Sequence, residues 1–225
     1  MMYSRIELKE RAKRTMDGQY WRMVVVALVY MILSCVLAAL GQQLIFKLIV
    51  YLFWYDSLSL FTILIPLLLL LAFCFFIVNP LLVGIKAYHI QATKGQATYA
   101  TLGYAFKNNY WNIVKIMAIV VIKTMLWSLL LIIPGIIKKY EYAMIPYLLA
   151  EDSNLSMNEA FSTTKQMMTG NKFNLFVLGL SFILWYILCY YTCGIGYLFL
   201  NPYQLATYTQ FYLALKQQEN NQDWV

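Results

Sequence analysis

The sequence predicts an all-α polytopic membrane bundle of about six membrane helices (five to six), arranged as three repeated hairpins, each preceded by an amphipathic cytoplasmic helix. Three observations carry that expectation. The first is composition: of 225 residues, 62% are apolar and only 12% charged, against roughly 45–50% and about 25% in soluble domains. A water-exposed globule of this length would lack the polar surface to cover itself. The second is a pair of uncharged runs, 43 residues from Phe173 to Leu215 and 29 from Ser57 to Ile85, each longer than the ~20 residues a span needs. The third is an internal echo of caps, glycines and aromatic residues.

The echo sets the elements in order. Ser4-Arg5-Ile6-Glu7 reads as a capping box, in which the serine and the glutamate satisfy each other's orphan backbone donors. Gly18 follows eleven residues after Glu7, suited to the left-handed position that ends a helix. Tyr20-Trp21 then supplies rings at headgroup depth before the first apolar run. Ser156-Met157-Asn158-Glu159, Gly170 and Phe173 repeat that order with the same spacing. A weaker copy starts near Thr98, with Asn109 where the glycines stand and Tyr110-Trp111 after it; asparagine is the next best left-handed residue. The units are 4–92, 98–152 and 156–217 within one membrane domain, 1–225, and 218–225 is a polar tail.

Spans are expected at about 21–41, 57–79 (continuing kinked to 92), 111–133, 136–151, 173–193 and 195–216. The fourth has charges at Lys138, Lys139 and Glu141 and few apolar positions after them, so a short buried or re-entrant helix is the alternative to a full crossing. Residues 43–55 are too short to span and read as an outer interfacial helix or a continuation of the first span. Asn79-Pro80, Pro134-Gly135 and Asn201-Pro202 are expected to break or kink the helices after each first arm.

The net charge of +7 is placed by position. Arg5, Lys9, Arg11, Lys13, Arg14 and Arg22 precede the first apolar run, while Lys94, Lys107, Lys165, Lys172 and Lys216 lie between or after later ones. This is the distribution expected when short cytoplasmic segments hold the positive charge, with the N-terminus in the cytoplasm. No nucleic-acid motif accompanies the charge, so anionic lipid headgroups are the expected electrostatic partner, contacted by Lys9, Lys13, Arg14, Lys165 and Lys172. The basic start followed by apolar residues, with Ile32-Leu33-Ser34-Cys35, imitates a processed leader; the run continues to Leu40, and a retained first span is expected.

Several strings go beyond generic membrane character. Ala12-Lys13 with Gly18 and Tyr20-Trp21, Ile133-Pro134-Gly135-Ile136-Ile137-Lys138, Tyr140-Glu141-Tyr142, Glu159-Ala160, Gly170-Asn171-Lys172, Gly194-Ile195-Gly196 and Asn201-Pro202-Tyr203 occur in order along the chain. They resemble the family known as domain of unknown function nine-seven-five, multi-pass membrane proteins mostly of Gram-positive bacteria. More distantly they resemble membrane domains attached to glycerophosphodiester phosphodiesterases, although no such hydrolase domain lies in these residues. The resemblance implies no reaction, cofactor or catalytic residue.

Ionisable groups inside a span cost about 2.5–3.5 kcal/mol each at its centre and are functional candidates for that reason. Lys123 lies twelve residues after Trp111, hence roughly 18 Å along the helix and near mid-bilayer. Lys115 lies two turns earlier, and Glu141 is the acidic residue nearest to partner Lys123. Asn79 and Asn201, beside their prolines, complete a candidate polar intramembrane site: Lys115, Lys123, Glu141, Asn79 and Asn201. The null explanation is a structural ion pair or a lysine facing a wet cavity. Cys35, Cys74, Cys189 and Cys193 sit in apolar runs and read as packing residues. The single histidine, His89, has no Cys, Asp or Glu beside it and is expected neither to bind metal nor to catalyse. No paired carboxylates and no nucleophile with a base appear, so the expected class is non-enzymatic, with no cofactor and no metal. The favoured role is an envelope or interaction protein binding lipid, a membrane peptide or a partner subunit, with immunity to a peptide toxin as one form. The alternative is a transporter or channel component using Lys123 and the interrupted helices.

Overall fold

The computed structural model describes residues 4–54, 61–192 and 194–222. All regular structure among them is helical. The helices are α1 (Arg5–Met16), α2 (Tyr20–Trp54), α3 (Phe61–Phe73), α4 (Asn79–Thr93), α5 (Tyr104–Lys107), α6 (Tyr110–Leu130), α7 (Ile132–Glu141), α8 (Ile145–Glu151), α9 (Met157–Met168), α10 (Lys172–Leu180), α11 (Ile183–Tyr191) and α12 (Gly196–Gln222). A π segment, Cys74–Val78, joins α3 to α4, and a 3-10 segment, Tyr99–Gly103, precedes α5. Asp56, Cys193 and the last tail residues lie outside the described residues.

The local signals act as their chemistry dictates. Ser156 Oγ accepts from the Glu159 backbone N–H at 3.3 Å while the Glu159 carboxylate accepts from the Ser156 N–H at 3.0 Å, a reciprocal box at the start of α9. At α1 only half of the box forms. Ser4 accepts from the Glu7 N–H, and the Glu7 carboxylate turns instead to Arg11 one turn on, at 3.2 Å. Gly18 and Gly170 both take φ +77°, and Asn109 takes φ +38°, so all three turns use a left-handed residue where the spacing placed one. The third copy departs from the others before its turn: a 3-10 segment and one α turn stand where the others have a three-turn helix.

Four helical stretches are long and apolar enough to cross a membrane: Tyr20–Val50, Phe61–Thr93, Tyr110–Leu130 and Lys172–Tyr191. Residues 43–54 continue the first of these. Two expected spans differ. Residues 136–151 form no single helix, because the chain bends at Leu131 rather than at Pro134-Gly135, and a turn at Tyr142–Met144 divides α7 from α8. Residues 196–216 fall in α12, which is not among those four stretches; its Thr207 and Thr209 are fully buried, and their hydroxyls donate back to carbonyls one turn earlier.

The prolines also act otherwise than expected. Pro80 has no N–H for the Phe76 carbonyl four residues before it. The helix nevertheless continues, because the π segment absorbs the mismatch and the Tyr110 hydroxyl donates to the freed Phe76 carbonyl at 2.7 Å. Pro202 lies inside an unbroken α12, and Pro134 falls in the first turn of α7, where a missing donor costs nothing. The interruptions expected at Asn79-Pro80 and Asn201-Pro202 are therefore absent as breaks.

The centre of the bundle is α4, buried on every side through Val83, Gly84, Ile85, Ala87, Tyr88 and Ile90. A Cβ on Gly84 would lie 2.1 Å from the Leu102 carbonyl oxygen, so only glycine lets the 3-10 segment return along α4. Gly135 has the same role between α6 and α7, where a Cβ would meet Ser128 Oγ at 2.3 Å. One apolar cluster joins α4, α6, α8, α9, α10 and α12, and a second joins α1, α2, α4 and α12. The buried residues of α1 are Leu8, Ala12 and Met16, and its neighbour is α12. Its apolar face is thus taken by protein rather than by lipid.

Candidate functional site

Two places concentrate polar chemistry against apolar surroundings. The first is built on Glu141, at the C-terminal end of α7 and 5% exposed. Lys138, one turn earlier on the same helix, donates to Oε1 at 2.7 Å, and Lys172, at the start of α10, donates to Oε2 at 2.5 Å. Thr164 Oγ1 on α9 donates to the Glu141 backbone carbonyl at 3.0 Å. One residue therefore fastens three helices. Burial alone would raise the Glu141 carboxyl, but the hydrogen bonds and charges of Lys138 and Lys172 outweigh it and hold it below the ordinary carboxylate range. The same hydrogen bond, against the opposing effect of burial, raises the Lys138 ammonium.

Lys123 is not the partner of Glu141. Both carboxylate oxygens are occupied, and Lys123 lies exposed with its Nζ 4.0 Å above the Phe161 ring, a cation–π contact. Phe161 in turn packs edge-on against Tyr142 at 5.1 Å, and Lys138 Nζ stands 5.7 Å from the rings of both Tyr142 and Trp127. Lys138 and Lys172 thus flank the carboxylate, and the Phe161 and Tyr142 rings link Lys123 to Lys138. Of the other expected members, Lys115 is exposed on α6, Asn79 is buried at the start of α4, and Asn201 is half-buried in α12. The partners that the structure gives Glu141 are Lys138, Lys172 and Thr164.

The second place is a groove of about 640 Å³ bounded by the end of α1, the start of α2, α11 and α12. Trp185, Leu188, Phe199 and Tyr203 are among its apolar lining, and Lys13 and Asp17 are the charged residues at it. These two stand one turn apart in sequence and are both exposed. Lys13 keeps the outward position expected of it, as do Arg14 and Lys165. Lys9 does not: it donates to the Ser181 carbonyl at 3.4 Å and lies 4.5 Å above the Phe182 ring. Burial first, then Arg5 and Lys13, pull its ammonium below the usual lysine range. Lys172 pairs with Glu141 while its side chain stays 32% exposed.

Further inside, Tyr212 donates to Glu151 at 2.6 Å and stacks on Tyr147 at 5.0 Å, and Lys216 pairs with the same carboxylate. Lys86 Nζ lies 4.7 Å over the Tyr147 ring. His89 is 1% exposed, with no hydrogen-bond partner for either ring nitrogen. Among the described residues no three His, Cys, Asp or Glu side chains gather as a metal would need. Sequence reasoning missed Lys138 and Lys172 as the partners of Glu141. The i, i+3 spacing from Lys138 to Glu141 was a readable signal, whereas nothing in the sequence joins Lys172 to it. The groove had no sequence signal, since its walls come from the two ends of the chain.

No curated protein and no solved structure matches the chain. The family described as Protein of unknown function (DUF975) matches residues 44–219, which takes in Glu141, Lys123, Lys138, Lys172 and the α11–α12 wall of the groove. It gives no support to the more distant likeness to membrane domains of glycerophosphodiester phosphodiesterases. The match runs over well more than half of the chain, and the protein belongs to this DUF975 family of proteins of unknown function.

Proposed function

We propose that the protein is a non-enzymatic, multi-pass component of a bacterial cytoplasmic membrane, with its N-terminus in the cytoplasm, that binds an amphiphile in the groove between α1, α2, α11 and α12. The carrying observation is that groove. Its volume of about 640 Å³ falls in the range of ligand pockets, roughly 300–1,000 Å³, and apolar walls with a few charged groups are the composition such sites use. Lys13 and Asp17 at its edge suit a molecule with a polar head and an apolar body, either a lipid or a membrane peptide. A role in envelope maintenance or in protection from membrane-active peptides follows from sequestering such a molecule.

The transport reading has less behind it. It relied on helices interrupted at Asn79-Pro80 and Asn201-Pro202, and both helices run on through their prolines. An enzyme reading would need a nucleophile with its base or a carboxylate pair, whereas the Glu141 and Glu151 carboxylates are each engaged by lysines.

The test is native mass spectrometry of the purified full chain in a mild detergent, with Leu188→Trp as the variant. Leu188 lines the groove and is 55% exposed, so the larger ring fills the groove without entering the core. Wild-type protein should carry an amphiphile that the variant loses while keeping its helix content. A wild-type protein recovered bare, or a ligand retained equally by the variant, would remove the groove from consideration.

A further inference from the structure

The tip of the α6–α7 hairpin is the barest apolar surface in its neighbourhood. Leu129 is 89% exposed, Leu130 73% and Ile132 77%, and no charge occurs from Thr124 to Ile137. Earlier on the same helix Ile113, Val114, Ile116 and Met117 are buried. Although α6 is long enough to cross a bilayer, only one face of its first half packs into the bundle, and its last third is exposed.

The lysines mark the boundary. Lys123 stands eight residues before the bend at Leu131 and Lys138 seven after it, so both lie about 12 Å from the tip at 1.5 Å per residue. Lys172 is brought to the same level by sharing Glu141 with Lys138, and it opens the apolar stretch Lys172–Tyr191. Lys138 and Lys172 hold the one carboxylate, and Lys123 joins them through Phe161, whose ring packs on Tyr142 beside Lys138; three ammonium groups against one carboxylate leave an excess of two positive charges. Lys138 and Lys172 each donate one hydrogen bond to Glu141, and their side chains remain 26% and 32% exposed. Each ammonium has two further donors to offer. The aromatic residues beside them, Trp127 and Phe173, are exposed, as rings at a membrane interface are.

We propose that Lys123, Lys138 and Lys172 form a phosphate-binding collar for an anionic phospholipid, at the base of a hairpin whose tip enters a single leaflet. A tip of about 12 Å falls short of the ~30 Å hydrocarbon core and matches somewhat less than one leaflet of it. A lipid phosphate seated on the collar would receive the unused lysine donors, and its acyl chains would run along the exposed face of the hairpin. This site is independent of the groove between α1, α2, α11 and α12, and either can fail without the other.

The experiment reconstitutes the full chain in nanodiscs of phosphatidylcholine with a minor fraction of phosphatidylglycerol, and counts retained lipids by native mass spectrometry after release. Phosphatidylglycerol should be retained in preference to phosphatidylcholine, and Lys123→Gln should weaken that preference about fivefold, as expected for one interfacial charge. Combining it with Lys138→Gln, Lys172→Gln and Glu141→Gln, which removes the ion pair without stranding a buried charge, should abolish the preference. Should the fourfold variant not fold, Lys123→Gln decides alone, because that side chain is exposed and outside the pair. Soluble glycerol phosphate should fail to compete; competition by it would show a free-phosphate site and overturn the lipid assignment. Equal retention of the two lipids, or a preference unchanged in Lys123→Gln, would also overturn it.

Discussion

Replacing Glu141 by Gln tests the ionic hub most directly. The side chain keeps its shape and one acceptor but loses its charge, so Lys138 and Lys172 remain beside a neutral amide. Breaking a fully buried pair costs about 3–5 kcal/mol. Here the lysines are a quarter to a third exposed and can turn toward water or headgroups, so the expected loss is about 2–3 kcal/mol, at or below the lower end of that range. For a chain of this size that corresponds to a fall in Tm of roughly 4–12 °C, read by circular dichroism in detergent micelles. The pH dependence supplies a second readout. The folded protein holds the Glu141 carboxyl below its ordinary range, so folding binds fewer protons than unfolding there. Its stabilisation is complete above the ordinary carboxylate pKa and is lost as pH falls through the depressed folded value. The wild type should therefore lose stability relative to Glu141→Gln as the pH is lowered from about 6 toward 3, and the gap between the two should narrow. A gap that stays constant with pH, or a variant as stable as the wild type at pH 7, would refute the hub.

Three further outcomes follow from local geometry. Gly84→Ala places a methyl 2.1 Å from the Leu102 carbonyl, and because backbone gives way poorly it should cost about 1–3 kcal/mol in thermal unfolding. Tyr110→Phe should cost about 1 kcal/mol by leaving the Phe76 carbonyl without its donor; in a Pro80→Ala background, where residue 80 regains an N–H, the same change should cost measurably less. Ser156→Ala should lower stability by about 1 kcal/mol, since it leaves the Glu159 N–H without its acceptor while the residue-156 N–H keeps the Glu159 carboxylate.

What the sequence made legible is what short-range chemistry governs. Gly18, Gly170 and Asn109 take positive φ because a helix followed at once by another needs a left-handed residue between them, and only residues with little steric penalty there can supply it. The box at Ser156 was readable for the same reason. The box at Ser4 was only half right, since Arg11 competes for the Glu7 carboxylate at i+4, an alternative the motif does not weigh. The prolines misled for a converse reason. A missing N–H is local, but its remedy is the Tyr110 hydroxyl thirty residues on, and a sequence pattern carries no record of which hydroxyl will arrive.

Lys123 shows where linear arithmetic along a helix stops being informative. Counting from Trp111 places it near mid-bilayer, whereas the structure shows that one face of the first half of α6, through Ile113, Ile116 and Met117, packs on protein and that the exposed apolar residues gather at its other end. In the proposed collar, depth is counted from that exposed end. From there Lys123 and Lys138 stand at nearly equal distances on either side of Leu131, a symmetry visible in the sequence once the bend is moved from Pro134 to Leu131. The same shift removes the need for an acidic partner. A lysine at the base of an exposed tip reaches an aromatic face and the interface, whereas a lysine at mid-bilayer would have required the carboxylate that Lys138 and Lys172 already hold.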